Sequence, residues 1–404
     1  LKPVNIKSMR IANISLVLDT IRRMGPISRY DISKITKLSP SAVSSIVENL
    51  ISVGIIKESP AQVTKVGRRP IELTLNEVGY YPIGIEIEKD KITGILMALS
   101  GRVLRKESIV LYNNDVDMVL NGVVNIYRSL IDGVNKEDII GVGLAVPGTI
   151  NRKEGVCLFS PNLGWRNVKI KEYLSKYIEG VPIFIEHIVK AVTYGELWYG
   201  AGIGKDNLIC VRVGSGVSAG LVLDGKIYRG PDDRAGEFGH TIIEKNGNKC
   251  KCGSYGCLES YVSTQVLYEK ILEGIRKNAY TKVNLENKSR DEILDEIIEA
   301  GKSGDRFVLN IFEELGTYLG IGIANLINIL NPEIVIIAGG LSKAEELLLD
   351  PVKRVVNLHA FPPIPEIITT KLGGLTGPIG AAAEVIEETL LKKIFEKAEE
   401  ETYR

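Results

Sequence analysis

The sequence predicts an α/β chain in two parts: a small basic head with a winged helix-turn-helix pattern, then a two-lobed α/β body. Apolar residues first recur at helical spacing, and from Tyr80 the pattern becomes strands alternating with helices. Charge divides the chain in nearly the same place. Residues 1–70 hold 12 Lys/Arg and 4 Asp/Glu (12 − 4 = +8), and the remainder holds 38 basic and 46 acidic residues (38 − 46 = −8). A strand–turn–strand signature also occurs twice, as Leu99-Ser100-Gly101-Arg102-Val103 and Leu223-Asp224-Gly225-Lys226-Ile227, which points to a duplicated lobe. With 404 residues the chain exceeds one ordinary core, and residues 1–76 and 77–404 are expected to form separate domains.

In the head, Ile14, Val17, Leu18 and Ile21 fall at i, i+3, i+4 and i+7, so a first helix buries one stripe and ends at Gly25-Pro26. A short second helix is expected over about Arg29–Thr36. Ser39 suits an N-cap and Pro40 the first helical position, so a third helix begins there. Val43, Ile46, Val47 and Leu50 lie on one of its faces, and Ser41, Ser44, Ser45 and Glu48 on the other. Gly54 closes this helix. Ile55-Ile56-Lys57 and Ile71–Leu75 then read as the strands of a wing, with Lys65, Arg68 and Arg69 between them. A short helix, a tight turn and a second helix with small polar residues outward is the geometry that enters a major groove. Wing cations reach phosphates or a narrow minor groove. Double-stranded DNA is therefore the expected partner, with Ser41, Ser44, Ser45, Lys65, Arg68 and Arg69 as contacts and the two arginines supplying much of the affinity. Helical spacing alone leaves open a three-helix interaction module, and the local charge favours the polyanion.

In the body, strands are expected over Tyr81–Ile87, 91–99 and 103–108, a helix through Val116, Val119, Leu120, Val123 and Val124, and a strand over 139–145. The theme returns with strands over 207–213, 218–223 and 226–229, followed by helices. Two similar lobes imply a cleft between them, where small ligands usually sit. A hydrophobic content of 45% with 25% charged residues is that of a globular protein in water. No apolar run approaches a bilayer-spanning length and the N-terminus reads without a signal peptide, so a cytoplasmic protein with no membrane partner is expected.

Five cysteines, three of them between Cys250 and Cys257, do not read as a secreted disulfide framework. Cys250-x-Cys252-x4-Cys257, preceded by His240, offers three thiolates and one imidazole. A closed tetrahedral set leaves no position for a reactive water, so the expected metal is a structural Zn2+ pinning a loop over about 237–260. Gly253 and Gly256 permit the tight path; three reduced cysteines in a glycine-rich turn are the alternative.

The whole chain resembles the ROK family (repressors, open reading frames and sugar kinases), in its DNA-binding regulator branch. The matching segments are Gly67-Arg68-Arg69-Pro70 with Leu73-x-Leu75-Asn76, Val146-Pro147-Gly148, and Pro161-Asn162-Leu163-Gly164-Trp165. Glu237-Phe238-Gly239-His240, Gly256-Cys257-Leu258-Glu259 and Asn331-Pro332-Glu333 follow. The resemblance implies an actin-like, ribonuclease-H-like ROK domain with a sugar in the cleft and zinc at the Cys/His site. It assigns Glu237, His240 and Glu259 to sugar hydroxyls, with Gly148 and His187 at the same ligand. Carboxylates and imidazole suit paired hydroxyls, and His240 can give one nitrogen to zinc and the other to the sugar.

The kinase parts depart from the family pattern. Where family kinases have Asp-x-Gly-Gly-Thr this chain has Glu86-Ile87-Glu88-Lys89-Asp90, which removes the close backbone approach to phosphate. Where they carry the general base of an Asn-Asp-Ala motif, it has His187-Ile188-Val189. Ile188 cannot take a proton, so no catalytic residue is assigned, and His187 is the only substitute nearby. Gly214-Ser215-Gly216 and Gly339-Gly340 read as vestigial nucleotide-binding segments, and no ATP requirement is expected. His187 and Ile188 also reshape one end of the ligand site, which predicts a pentose or an oligosaccharide in place of plain glucose. The expected function is a sugar-responsive transcriptional regulator. It would repress carbohydrate-utilisation genes and leave operator DNA on sugar binding, as a homodimer or dimer of dimers. A sugar kinase for glucose or N-acetylglucosamine with a non-standard base is the alternative. A DNA-binding architectural protein with a vestigial sugar fold is a third reading.

Overall fold

The structure is a computed structural model and describes residues 6–60 and 71–391. Lys65, Arg68 and Arg69, expected on the wing, lie outside the described residues. The head runs α1 (Ile6–Met24), β1 (Ile27–Ser28), α2 (Arg29–Thr36), α3 (Pro40–Ser52), β2 (Ile56–Pro60) and β3 (Ile71–Leu75). Both short helices start on serine caps. Ser28 Oγ accepts from the Asp31 N–H at 3.1 Å, and Ser39 Oγ from the Ala42 N–H at 3.2 Å. Val43, Val47 and Leu50 of α3 are buried with Ile14, Val17, Leu18 and Ile21 of α1. The opposite side of α3 leaves Ser41 and Ser45 exposed and Ser44 half-buried. The wing has three strands, in the order β1-β3-β2, where two were expected. Ile27 and Ser28 pair with Leu73 and Glu72, and a two-residue strand carries no periodicity to read.

The first lobe contains β4 (Tyr81–Ile87), β5 (Lys91–Met97), β6 (Val103–Val110), α4 (Val116–Ile131) and β7 (Ile139–Val146). A small antiparallel sheet of β8 (Thr149–Asn151), β9 (Val156–Ser160) and β10 (Trp165–Val168) precedes α5 (Ile170–Leu174), β11 (Ile183–His187) and α6 (Ile188–Tyr199). The second lobe contains β12 (Leu208–Val213), β13 (Val217–Leu223), β14 (Lys226–Tyr228), α7 (Thr264–Arg276), α8 (Arg290–Lys302) and α9 (Arg306–Leu330). It continues with β15 (Ile334–Ala338), α10 (Glu345–His359) and β16 (Glu366–Thr369), and α11 (Thr376–Val385) returns to pack on β4 and β7.

The sheets are ordered β11-β7-β4-β5-β6 and β14-β13-β12-β15-β16. Counted along the chain in both, the first strand (β4 or β12) pairs antiparallel with the second (β5 or β13) and parallel with the fourth (β7 or β15), and the fifth (β11 or β16) lies beside the fourth. The lobes thus share one topology. The parallel strands β7 and β15 are buried throughout, which explains their unbroken apolar runs. Between the lobes α6 crosses α11 at Gly195 and Gly380, where a Cβ on Gly380 would collide with the Ala191 carbonyl. By length and composition α9 is apolar enough to cross a bilayer, which corrects the expectation that no segment approaches this. Its buried face, including Phe312, Leu315, Leu319 and Ile323, joins the second lobe's core, and it packs along α10.

The head is seated directly on the body. Its apolar core continues into Met97, Leu99 and Ile379. The Asn76 side chain donates to the Gly54 carbonyl at 2.8 Å, and the Tyr80 hydroxyl donates to the Val53 carbonyl.

Candidate ligand site and metal centre

A cavity of about 230 Å³ opens between the lobes. The first lobe contributes Pro147 and Gly148 after β7, Ser160 to Asn162 at the end of β9, and His187 and Ile188 where β11 gives way to α6. The second contributes Ser215 to Ser218 around the start of β13, then Glu237, His240 and Glu259. All the residues expected at the sugar, Glu237, His240, Glu259, His187 and Gly148, therefore face one space, and Ile188 shares it. Arg234 and Lys251, which sequence reasoning did not single out, also line it.

Glu259 is fixed by a hydrogen bond from the Val217 N–H to its Oε2 at 2.9 Å. Gly216 makes room for this: a Cβ there would lie 2.7 Å from Glu259 Oε2 and 3.1 Å from Asn162 Nδ2. His187 is the N-cap of α6, and its Nδ1 accepts from the Val189 N–H at 3.3 Å. Burial, reinforced by the charges of Lys190 and Arg212, pushes its pKa down to about 3. The ring stays neutral at physiological pH, so Nε2 carries the proton and can only donate. With Nδ1 taken by the Val189 N–H and the proton on Nε2, the ring offers a sugar hydroxyl a donor and no free lone pair, unlike the aspartate of the family pattern. Behind it, Glu186 Oε1 accepts the His187 N–H at 2.7 Å, while its Oε2 meets Arg152 at 3.0 Å and Arg229 at 2.6 Å.

The part of the cleft where vestigial nucleotide segments were expected is different. A cavity of about 70 Å³ is lined by Gly339, Gly340 and Gly377 together with Glu86, Glu88 and Arg212. Arg212 Nη2 lies 3.0 Å from Glu86 Oε1 and 2.7 Å from Glu88 Oε1, joining β12 of one lobe to β4 and the turn after it in the other. The glycines pack on this triad. A Cβ on Gly214 would sit 2.6 Å from Arg212 Nη1, one on Gly339 3.1 Å from Arg212 Cγ, and one on Gly377 against the Glu86 carboxylate. The segments expected to be vestigial nucleotide sites therefore divide. Ser215 and Gly216 wall the larger cavity, Gly214 and Gly339 pack on Arg212, and Gly340 lines the small cavity. Burial, then the neighbouring Glu88 charge, pushes Glu86 up to about 7 against the pull of Arg212. Sequence reasoning missed Arg212; the available signal was one cation in an otherwise apolar, fully buried strand, which must find a partner.

His240, Cys250, Cys252 and Cys257 bring one ligand atom each to within 4.8 Å of all the others. Cys252 Sγ to Cys257 Sγ and Cys250 Sγ to His240 Nδ1 are both 3.7 Å. A tetrahedron with metal–sulfur bonds of about 2.3 Å has edges of about 3.8 Å, so the donor set fits a four-coordinate ion. The other nitrogen of His240, Nε2, lies 3.9 Å from Glu237 Oε2. The imidazole thus faces the thiols on one side and Glu237 on the other.

Duplicated lobes around a polar cavity define an actin-like, ribonuclease-H-like protein, here preceded by a small head of three helices and a three-stranded sheet consistent with a helix-turn-helix. The chain belongs to the ROK family, which residues 82–388 match. It is 30% identical over 382 residues to the xylose repressor of Bacillus spizizenii, covering 94% of this chain and 96% of that protein. Among solved structures it is similar to a ROK family transcriptional regulator homologous to the Escherichia coli MLC protein. That likeness has a TM-score of 0.77 and 26% identity, over 96% of this chain and 99% of the other. The ROK glucokinase of Streptomyces griseus, solved with glucose and AMPPNP, matches with a TM-score of 0.68 and 29% identity, covering 98% of the kinase but 75% of this chain.

Proposed function

We propose that this protein is a sugar-responsive transcriptional regulator, a repressor of carbohydrate-utilisation genes that leaves operator DNA when a sugar fills the interlobe cavity. The observation that carries the reading is the contrast across the cleft. Polyol-binding groups surround the larger cavity, while the protein's own Arg212, Glu86 and Glu88 pair across the side where a nucleotide would sit and border a space of only about 70 Å³. A kinase needs the reverse: room for ATP and a base with a free lone pair at the sugar hydroxyl.

Glu237, Glu259 and His240 engage sugar hydroxyls, His187 adds a donor through Nε2, and Gly148 lets the chain pass close to the ring. About 230 Å³ lies below the range of about 300–1,000 Å³ usual for drug-sized ligands, which suits one sugar ring better than two. Of the two ligand classes expected from the sequence, a pentose is thus favoured over an oligosaccharide. The Cys3His set holds Zn2+ as a structural ion, which cross-links the 237–260 loop and orients His240. The head, residues 1–76, reads DNA through Ser41, Ser44 and Ser45 on α3 and through Lys65, Arg68 and Arg69, and the 77–404 body is the sensor. A homodimer or dimer of dimers in the cytoplasm presents two heads to paired half-sites.

The test uses the full chain and a duplex from upstream of its own gene. Titrating D-xylose, D-glucose or N-acetylglucosamine should weaken DNA binding, with D-xylose the most effective. Incubation with ATP, magnesium and the same sugars should yield no sugar phosphate; turnover would restore the kinase reading.

A further inference from the structure

We infer that α6 is the mechanical link between the interlobe cavity and the DNA-reading head, held at one end by His187 and at the other by Arg22. The inference rests on the cavity being the effector site. At its N-terminus α6 begins on the cavity wall: His187 caps it through Nδ1, and His187 and Ile188 both line the cavity. A ligand there touches the helix itself, so it can favour one placement of α6 over another. Twelve residues of α helix then cover about 18 Å.

At the far end the helix leaves carbonyls without intrahelical partners, as every helix does. The Glu196 carbonyl accepts from the Gly200 and Gly202 N–H groups. The next two are satisfied from the head. Arg22 Nη1 of α1 donates to the Leu197 carbonyl at 3.2 Å and to the Trp198 carbonyl at 2.5 Å. Its guanidinium also stacks on the Trp198 ring, 4.6 Å from the centroid. Asp19 fixes the guanidinium through Nε at 3.2 Å and Nη2 at 2.6 Å, and the arginine side chain is only 9% exposed. A cation belonging to the DNA-reading head thus caps the negative end of the sensor's central helix.

The rest of α6 suits a rigid element with one pivot. Ile188 to Glu196 are all buried, and the crossing with α11 at Gly195 and Gly380 is backbone on backbone. Beside the Arg22 contact lies a hollow of about 620 Å³ between head and body, bordered by Gly25, Lys57, Thr74, Trp198 and Tyr199. Displacement of the helix end is therefore not blocked by close packing on that side. Small shifts of a packed helix, passed on through its terminal contacts, are a standard way for a site to move a distant element.

The decisive variant is Arg22→Met, which keeps an apolar stem for Trp198 and removes the donors. In the full chain, D-xylose should bind with a Kd within about twofold of wild type. The ratio of operator Kd with and without D-xylose should shrink at least tenfold, and Arg22→Lys should recover part of it. A wild-type ratio in Arg22→Met overturns the inference. A second arm needs no sugar. His187→Ala removes the cap of α6 and should raise amide exchange in the last turns of both α6 and α1, whereas His187→Asn, a capping residue, should not. Adding Arg22→Met to His187→Ala should confine the rise to α6. A rise limited to the first turn of α6 also overturns the link. If D-xylose, D-glucose and N-acetylglucosamine all fail to bind while the exchange pattern appears, the effector reading fails and the link stands.

Discussion

Arg212 and Glu86 meet at 3.0 Å across the interlobe cleft with side chains only 6% and 7% exposed, and Glu88 completes the arginine's pairing at 2.7 Å. Removing one member of such a buried set leaves uncompensated charge. Arg212→Met should destabilise the protein by about 3–5 kcal/mol, measured by urea unfolding, whereas Arg212→Met with Glu86→Leu and Glu88→Gln should recover most of the loss. Equal stability of the single and triple variants would mean that the triad is not coupled.

The same site sets part of the pH response. Glu86 holds its proton up to about 7 in the folded protein, against 4.5 ordinarily, so between those values the native state binds a proton that the unfolded chain has lost. Its contribution to stability is present below pH 4.5 and declines as pH rises to 7, by about 3 kcal/mol at 1.4 kcal/mol per pH unit. His187 acts with the opposite slope. It is depressed to about 3 from 6.5, so its contribution is present above 6.5 and is lost as pH falls toward 3. The wild-type profile therefore contains two slopes that oppose each other between 4.5 and 6.5. Because the two slopes nearly cancel up to pH 6.5, unfolding of Glu86→Gln should show a stability that rises from pH 5 to about 6.5, and unfolding of His187→Asn one that falls from pH 5 to about 7.

Gly216→Ala tests the ligand cavity with little effect on the fold. The added methyl displaces Glu259 and Asn162, so D-xylose affinity measured by calorimetry should drop at least tenfold, with a loss of stability of about 1 kcal/mol.

For the metal centre, elemental analysis of the purified protein should find one zinc per chain. Cys257→Ser or a strong chelator should lower the melting temperature and weaken sugar binding together, because the ion holds the loop carrying Glu237 and Glu259. Unaltered sugar affinity in the zinc-free protein would separate the two sites.

Ile188→Asp restores a carboxylate where family kinases have their base. It should still give no ATP turnover, since Glu86 and Glu88 still stand where the family pattern has its phosphate loop and still pair with Arg212; phosphorylation of any of the three sugars would show that the base alone had been missing.

What the sequence made legible was local. Ser39-Pro40 announced α3 because a cap and a fixed φ act within one turn, and the Cys/His spacing announced the metal site because its ligands lie within a single loop. The repeated turn motif revealed the shared topology of the lobes. Three features escaped for a common reason. Arg212 and Glu86 stand 126 residues apart, and a single pair of that separation leaves no periodic trace. β1 is two residues long and exists only because β3 pairs with it. Ser215 and Gly216 belong to the larger cavity because Glu259, arriving from the Cys/His loop, needs the space beside them.

The charge triad has one further consequence. A nucleotide-dependent switch samples the energy state of the cell each time its cleft fills and empties. Here the anions and the cation in that position are written into the polypeptide, at a fixed ratio and at no variable concentration. On the reading proposed above, carbohydrate genes under this regulator answer to sugar supply alone, and a starving cell with little ATP reads its sugar as faithfully as a well-fed one.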